Sequence, residues 1–485
     1  MDCSKDKNVS LSSNYVFNLA NRIIVLVIPL ITTPYLTRVL GANELGVYNY
    51  ANTIASYFLM FSMMGMSILG NKKVSLARND GNISEIFLKL LFVQFFNSIV
   101  SIVLYFAYFF IFCKDDKTIA LLQLFVLISA LFDVSWFYQG LERFKSIAIR
   151  NIVINCLTTI LIFLFVNKPE DIVIYSAIKC VSVLASQLAL FVSCIKKVVW
   201  VKPDIKWIKT TYVELLVFFT PIAAESIFHN MDRVMLGVMV SYSAVAFYYT
   251  SRMITDIPQC FITSINTIIY PRITILVGQN RNEEARKLTY YSFALINAVC
   301  VAMSFGIAAI AKDFVALYLG SDYQYCAICI PWLAPYIVLA AWNGTVRYQY
   351  LIPKALEKIY SKAIVIGIAF NLILNLTLIQ KIGVIGAILA TVVAEFIIAI
   401  IQTKPVWKEM MILNQIRNMG VFLVAGIIMY ILVYLVREIL PTNLFARVIL
   451  EIGVGAFVYL SLAIIGIIFV DKSIREKFNS MIRKI

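Results

Sequence analysis

The chain is poor in charge and almost without histidine. Asp, Glu, Lys and Arg make up 14% of its 485 residues, against about 25% in soluble domains. That is too little polar surface to clothe a globular fold in water. His229 is the single histidine, which excludes the H-E-x-x-H arrangement, where two imidazoles one helical turn apart hold a zinc ion. No G-x-x-x-x-G-K-[ST] run occurs, so the chain lacks the backbone cradle that P-loop proteins use for ATP phosphates. There is no long linker, no low-complexity segment and no loop of a length that could fold as a catalytic domain. A cleavable signal is not expected, because residues 1–10 are polar and the first apolar run is too long for a signal h-region. Of nine cysteines, Cys326 and Cys329 form a lone C-x-x-C. With no second pair and no histidine nearby, it reads as packing rather than metal or redox chemistry. No cofactor and no metal are expected.

What the chain has in abundance is apolar length. It is 61% hydrophobic with a mean hydropathy of +0.85. About fourteen stretches of roughly 20 apolar residues, the first near Asn14 and the last near Asn443, match the thickness of a bilayer core. They are continuous rather than alternating, which selects helices over a β-barrel. The net charge of +15 does not indicate nucleic acid, because most Lys and Arg sit in the loops. With the N-terminus inside, Lys72, Lys73, Lys196, Lys197, Lys202, Lys206 and Lys209 and the 472–484 tail all fall inside. The positive-inside rule gives N-in and C-in. The expected fold class is an all-α polytopic membrane protein of about fourteen transmembrane helices.

The chain divides by its loops. Residues 1–195 form an N-terminal six-helix lobe, 196–211 a cytoplasmic inter-lobe loop with Trp200 and Trp207 among lysines, and 212–403 a second six-helix lobe. Residues 404–470 add two helices, and 471–485 form a basic amphipathic tail suited to an anionic lipid surface. A weak repeat supports two lobes. Arg38 with Gly46-Val-Tyr-Asn-Tyr returns as Arg233 with Ala246-Phe-Tyr-Tyr, about 195 residues on, as parallel repeats would require.

About eleven ionisable residues lie within spans, where each costs roughly 2.5–3.5 kcal/mol if left facing lipid. They must face water or one another. Span 7 carries Glu225, His229 and Asp232 on one face, a proton relay or a packed cluster. Span 8 carries Arg252 and Asp256, an internal pair or a ligand site. Span 1 carries Asn14, Asn18 and Arg22, with no carboxylate on the same helix, so Arg22 reads as an anion contact. Lys179 lies similarly deep on span 6. Glu395, mid-span on helix 12, is a coupling group or a structural pair. Asp133 and Arg347, near inner ends, read as structural, and Lys89 snorkels. Interior prolines such as Pro221, Pro258 and Pro335 are expected to kink their helices.

Several stretches carry a resemblance. The run from Asp133 through Trp136, Gly140 and Glu142 to Phe144 resembles the fourth-helix exit motif of Wzx-type polysaccharide flippases. Asn371 and Asn375, followed by Gly383, Gly386, Ala387 and Glu395, resemble that family's helix 11–12 signature. Asp232, Arg233 and Gly237, with Tyr248 and Tyr249, resemble its helix 7–8 crossing. The similarity runs from about residue 14 to residue 403 and belongs to the multidrug/oligosaccharidyl-lipid/polysaccharide exporter superfamily. It implies two six-helix lobes in a V, and a cationic cavity through which undecaprenyl-pyrophosphate-linked oligosaccharide is turned from inner to outer leaflet. It implies a multi-pass protein of the bacterial cytoplasmic membrane that is not an enzyme. On this reading Arg22, Arg252 and Lys179 meet the pyrophosphate, Tyr48, Tyr50, Asn52, Tyr248 and Tyr249 meet sugars, and Glu225, His229, Asp256 and Glu395 couple to an ion. The implied partners are the lipid-linked oligosaccharide, membrane lipid, a polysaccharide polymerase and a chain-length regulator. The alternatives are a cation-coupled multidrug exporter, which would prefer an acidic cavity, and a lipid II flippase. A membrane-embedded polymerase or ligase would need the large outer loop that is missing here.

Overall fold

The computed structural model describes residues 11–77, 82–113, 117–196, 198–199, 205–439, 441 and 443–470. Side chains of residues 11–23, 26, 205 and 206 lie outside that description, and with them Asn14, Asn18 and Arg22. The amphipathic tail, Lys197 and Trp200 lie outside it too. Everything described is helix or short connection. Thirteen helices, counted among the described residues, are long and apolar enough to cross a membrane. Ahead of them stands α1, Leu11–Val39, of 29 residues. This is an all-α polytopic membrane protein.

Two compact units form, Met1–Val234 and Met235–Ile485. The first holds α1, α2 (Gly41–Met63), α3 (Met66–Ala77), α4 (Ile83–Phe112), α5 (Lys117–Leu122), α6 (Leu124–Leu131), α7 (Ser135–Gly140), α8 (Phe144–Phe165) and α9 (Ile172–Ile195). It also takes most of α10, Ile205–Met239, whose residues from Met235 onward belong to the second unit. The second holds α11 (Tyr242–Gly278), α12 (Asn282–Tyr318), α13 (Cys326–Val346), α14 (Glu357–Ile382), α15 (Val384–Thr403), α16 (Ile412–Val436) and α17 (Leu444–Val470).

The spans are inverted relative to soluble helices. On α4 the polar and small residues Gln94, Asn97, Ser98 and Ser101 are buried, while Phe92, Phe96, Ile99, Val103 and Phe110 point outward. With lipid as the solvent, apolar groups gain nothing by hiding, and helices associate through small residues and hydrogen bonds. Gly70 shows the first device. A Cβ there would lie 2.6 Å from the Trp136 ring, so only glycine lets α3 take the indole.

Helix breaks occur where the freed backbone groups find partners. Span 4 is split into α5, α6 and α7. Between α6 and α7 the carbonyls of Ala130 and Asp133 accept from Gln94 Nε2 at 2.6 and 2.9 Å. Gln94 Oε1 in turn accepts from Trp136 Nε1 at 2.9 Å. Much of the Asp133–Phe144 motif is therefore a buried joint: Trp136 is 1% exposed, and Asp133 Oδ1 accepts the Ser135 N–H at 2.9 Å. Span 2 breaks at Met64 and Gly65, both at positive φ, and a Cβ on Gly65 would meet Phe218 Cβ of α10 at 3.0 Å. The interior prolines behave otherwise. Helices α10, α11 and α13 run on through Pro221, Pro258, Pro271, Pro331 and Pro335.

In the second unit α14 and α15 form a hairpin across Gly383 at φ 57°. Helices α16 and α17 dock on α12. Gln415 and Asn418 donate to the Tyr290 carbonyl and hydroxyl, each at 3.0 Å, and the Tyr459 hydroxyl donates to the Ala298 carbonyl at 2.6 Å. In the loops, hydrogen bonds from Lys354 and Tyr350 hold the Glu409 carboxyl below its usual range. Cys326 and Cys329 are fully buried, as packing requires.

Gly386 gives a direct test of this close packing. A Cβ there would lie 2.4 Å from the Leu378 carbonyl oxygen, and backbone cannot step aside. Gly386→Ala should destabilise the folded protein by about 1–3 kcal/mol, read as a lowered thermal midpoint in detergent. Gly420→Ala, where a Cβ meets nothing within 4 Å, should leave the midpoint level or slightly raised.

Candidate functional site

Polar chemistry gathers at several places, among them a cluster of the buried Asp313 and Glu451 with Arg437 and Arg447 in the second unit; the candidate residues fall mainly at two others, one in each unit. In the second, Arg252 of α11 is 6% exposed. Its Nε–H is shared by the two oxygens of Asp256, at 3.1 and 3.2 Å. The i,i+4 spacing sets both on one helical face. The guanidinium carbon stands 3.6 Å from the centre of the Tyr336 ring on α13, close enough for a strong cation–π contact in a desolvated setting. Its terminal nitrogens make no hydrogen bond among the described residues. Asp256 keeps 43% of its side chain exposed, so the pair has one sealed end and one open end.

Glu395 of α15 lies within electrostatic range of both groups. Its Oε2 accepts from Asn343 Nδ2 at 2.7 Å, and the same nitrogen reaches the Glu395 backbone carbonyl at 3.0 Å. Asp256 and Glu395 are thus brought together around one cation, each held by a different neutral or charged donor. Tyr248 is a correction to the sequence reading. It is 1% exposed, and its hydroxyl lies 3.0 Å from Thr391 Oγ1. It braces α11 on α15 and offers no ring to a sugar. Tyr249 beside it is half-buried.

In the first unit the described cation is Lys179 of α9. It is half-buried and makes no hydrogen bond or ion pair among the described residues. Nearby on the same seam, sequence reasoning overlooked Arg150 of α8. It too is half-buried, and its partners are neutral: Asn151 Oδ1, Gln187 Oε1 and the Ser186 carbonyl. The rule that singled out Arg22, an arginine within a span with no carboxylate on its own helix, would have found it.

The remaining candidates are scattered. Glu225 and His229 of α10 are exposed, while Asp232 on the same face is buried at 1%. They belong to the first unit, and Asp256 and Glu395 to the second. Tyr48 is 8% exposed and packs edge-on against Tyr175 at 4.9 Å, so it too is a packing residue. Tyr50 pairs with the Tyr108 hydroxyl, and Asn52 is half-buried. Arg347 lies 3.8 Å from the Tyr360 ring centre, and Lys89 pairs with Glu85 at 2.6 Å; both are structural. Among the described residues no cluster of His, Cys, Asp and Glu could hold a metal ion.

An apolar helical bundle with sequestered ionic groups defines a multi-pass membrane protein, and its architecture has a precedent. A lipid II flippase in an inward closed conformation superposes with a TM-score of 0.69 at 17% identity, over 93% of this chain and 99% of that one. At that identity the likeness shows the fold alone. In sequence, a Shigella dysenteriae protein named as an O-antigen transporter is 23% identical, over 78% of this chain and 95% of its own length. One of the same name from Escherichia coli strain K12 is 22% identical over 75% and 89%. The chain belongs to the polysaccharide biosynthesis protein family, whose match spans residues 11–277.

Arg252 carries a stability prediction. Breaking a buried ion pair by removing one partner costs about 3–5 kcal/mol; the half-open Asp256 lowers the expected loss to about 2–3 kcal/mol. Arg252→Ala should therefore reduce the thermal midpoint and yield of folded protein in detergent. An unaltered midpoint would show that the pair holds nothing together.

Proposed function

We propose that this protein turns undecaprenyl-pyrophosphate-linked oligosaccharide repeat units from the inner to the outer leaflet of the bacterial cytoplasmic membrane by alternating access. The observation that carries the reading is the match to two proteins named as O-antigen transporters over nearly the whole of their length. The physical chemistry is consistent with it. A diphosphate in a low-dielectric interior needs cations that are not already neutralised by carboxylates. Lys179 meets that condition among the described residues. Arg252 meets it in part, through terminal nitrogens that Asp256 does not engage. Arg22, whose side chain lies outside the described residues, is the third cation assigned to the pyrophosphate.

Sugar contacts fall to Tyr249, Tyr50 and Asn52, which keep some exposure, and not to Tyr48 or Tyr248. Coupling to an ion or to the membrane potential falls to Asp256 and Glu395. Protonating either carboxylate changes the balance around Arg252, and a differential proton affinity between two states is what shifts their populations. Glu225 and His229, one turn apart on α10, are the remaining residues assigned to coupling. The basic inner loops support N-in and C-in. A polymerase and a chain-length regulator remain the protein partners that this role calls for.

Cells lacking the gene should lose a surface glycan and accumulate lipid-linked repeat units on the cytoplasmic leaflet. Lys179→Ala should fail to restore the glycan while membrane protein level and thermal midpoint stay at wild-type values. Full restoration by Lys179→Ala would contradict its assignment to the pyrophosphate. A deletion strain that keeps its glycans but gains sensitivity to cationic drugs would favour the multidrug-exporter reading.

A further inference from the structure

We infer that the seam between α8 and α9 is a track for the substrate's phosphates, with Arg150 as a positioning residue that engages them separately from Lys179. The inference rests on the flippase reading and adds a residue and a route that the reading does not require.

Two antiparallel helices, both in the first unit, present a line of polar groups to each other. Along α8, Arg150 and Thr158 lie on one face, two turns apart. Along α9, Lys179, Ser182 and Ser186 share a face at i, i+3 and i+7. Thr158 Oγ1 lies 2.7 Å from Ser182 Oγ, and Arg150 Nη1 donates to Gln187 Oε1 at 2.8 Å and to the Ser186 carbonyl at 3.4 Å. Arg150 therefore sits at the level of Ser186. Lys179 is seven residues away along α9, about 10 Å at ~1.5 Å rise per residue. The seam thus carries a cation at each end and hydroxyls between.

Arg150 has its hydrogen bonds satisfied and its charge unsatisfied. Nε and Nη2 both donate to Asn151 Oδ1, at 3.1 and 2.8 Å. All its acceptors are neutral amides. Asp133 and Tyr138 are in electrostatic range, but no carboxylate comes within ion-pair distance among the described residues, and Asp133 Oδ1 already accepts the Ser135 N–H. Hydrogen bonds to ionised oxygens are shorter and about twice as strong as those to neutral ones. A phosphate entering the seam displaces Asn151 and Gln187 from the guanidinium fork, whose planar geometry suits two phosphate oxygens. Lys179, a flexible point charge, forms the second station. Because one diphosphate is shorter than the distance between stations, the two act in turn.

The test is binding of sugar-free undecaprenyl pyrophosphate to the purified full-length protein in detergent, followed by native mass spectrometry. Arg150→Gln should weaken binding by about tenfold or more, the scale of one lost charge-assisted contact. Arg150→Lys should recover most of it, and the thermal midpoints of both variants should match wild type, which separates a ligand contact from a structural one. Excess phosphatidylglycerol should not compete. Equal affinity of wild type and Arg150→Gln overturns the track while leaving the flippase reading intact. Full competition by phosphatidylglycerol also overturns it, since Arg150 would then serve bulk lipid headgroups. Absence of any undecaprenyl pyrophosphate binding by wild type removes the flippase reading and this inference with it.

Discussion

The constraint on which this structure turns is the neutralisation of charge where water is scarce. A cation at the bilayer centre costs roughly 2.5–3.5 kcal/mol on insertion scales, and a folded domain has only about 5–15 kcal/mol of stability to offset such terms. The chain meets that cost in two ways. Arg252 is neutralised internally, by Asp256 on its own helix and the Tyr336 ring across from it. Arg150 and Lys179 have no carboxylate at ion-pair distance among the described residues, and Arg150 is held only by the neutral oxygens of Asn151, Gln187 and the Ser186 carbonyl. A flippase for a diphosphate lipid needs the second kind of cation, because one permanently paired cannot release and accept a passing anion.

The same scarcity shapes the backbone. Every break in a spanning helix frees N–H and C=O groups that lipid cannot satisfy. The gap between α6 and α7 exists because Gln94, buried on α4, donates to two of those carbonyls and accepts from Trp136. The break at Met64 and Gly65 stands where α10 packs tightly over it. Prolines in α10, α11 and α13 leave their helices continuous. Polar side chains that cap exposed carbonyls, more than prolines, therefore mark where these spans are interrupted.

Much of this was legible in the residues themselves. Span number and helical class follow from apolar length, and the pairing of Arg252 with Asp256 follows from i,i+4 spacing. The expectation for Tyr248 failed because a tyrosine beside a polar stripe can face a cavity or a neighbouring helix, and the presence of Thr391 on α15 as its partner is visible only in three dimensions. The break in span 2 was hidden for the same reason, since its partner, Phe218, lies more than 150 residues on. Arg150 was passed over because it lies nearer a helix end than Arg22 or Lys179, a position usually explained by snorkelling; its neutral partners came to light only with the fold.

The anion path requires that the Lys179 and Ser182 face of α9 meet water and substrate. In a cysteine-free background, Ser182→Cys should react with a small membrane-impermeant thiol reagent in vesicles, and undecaprenyl pyrophosphate should protect it. A cysteine there that stays unreactive with and without the lipid would place the seam against packed helices or acyl chains, and the anion path proposed here would be wrong.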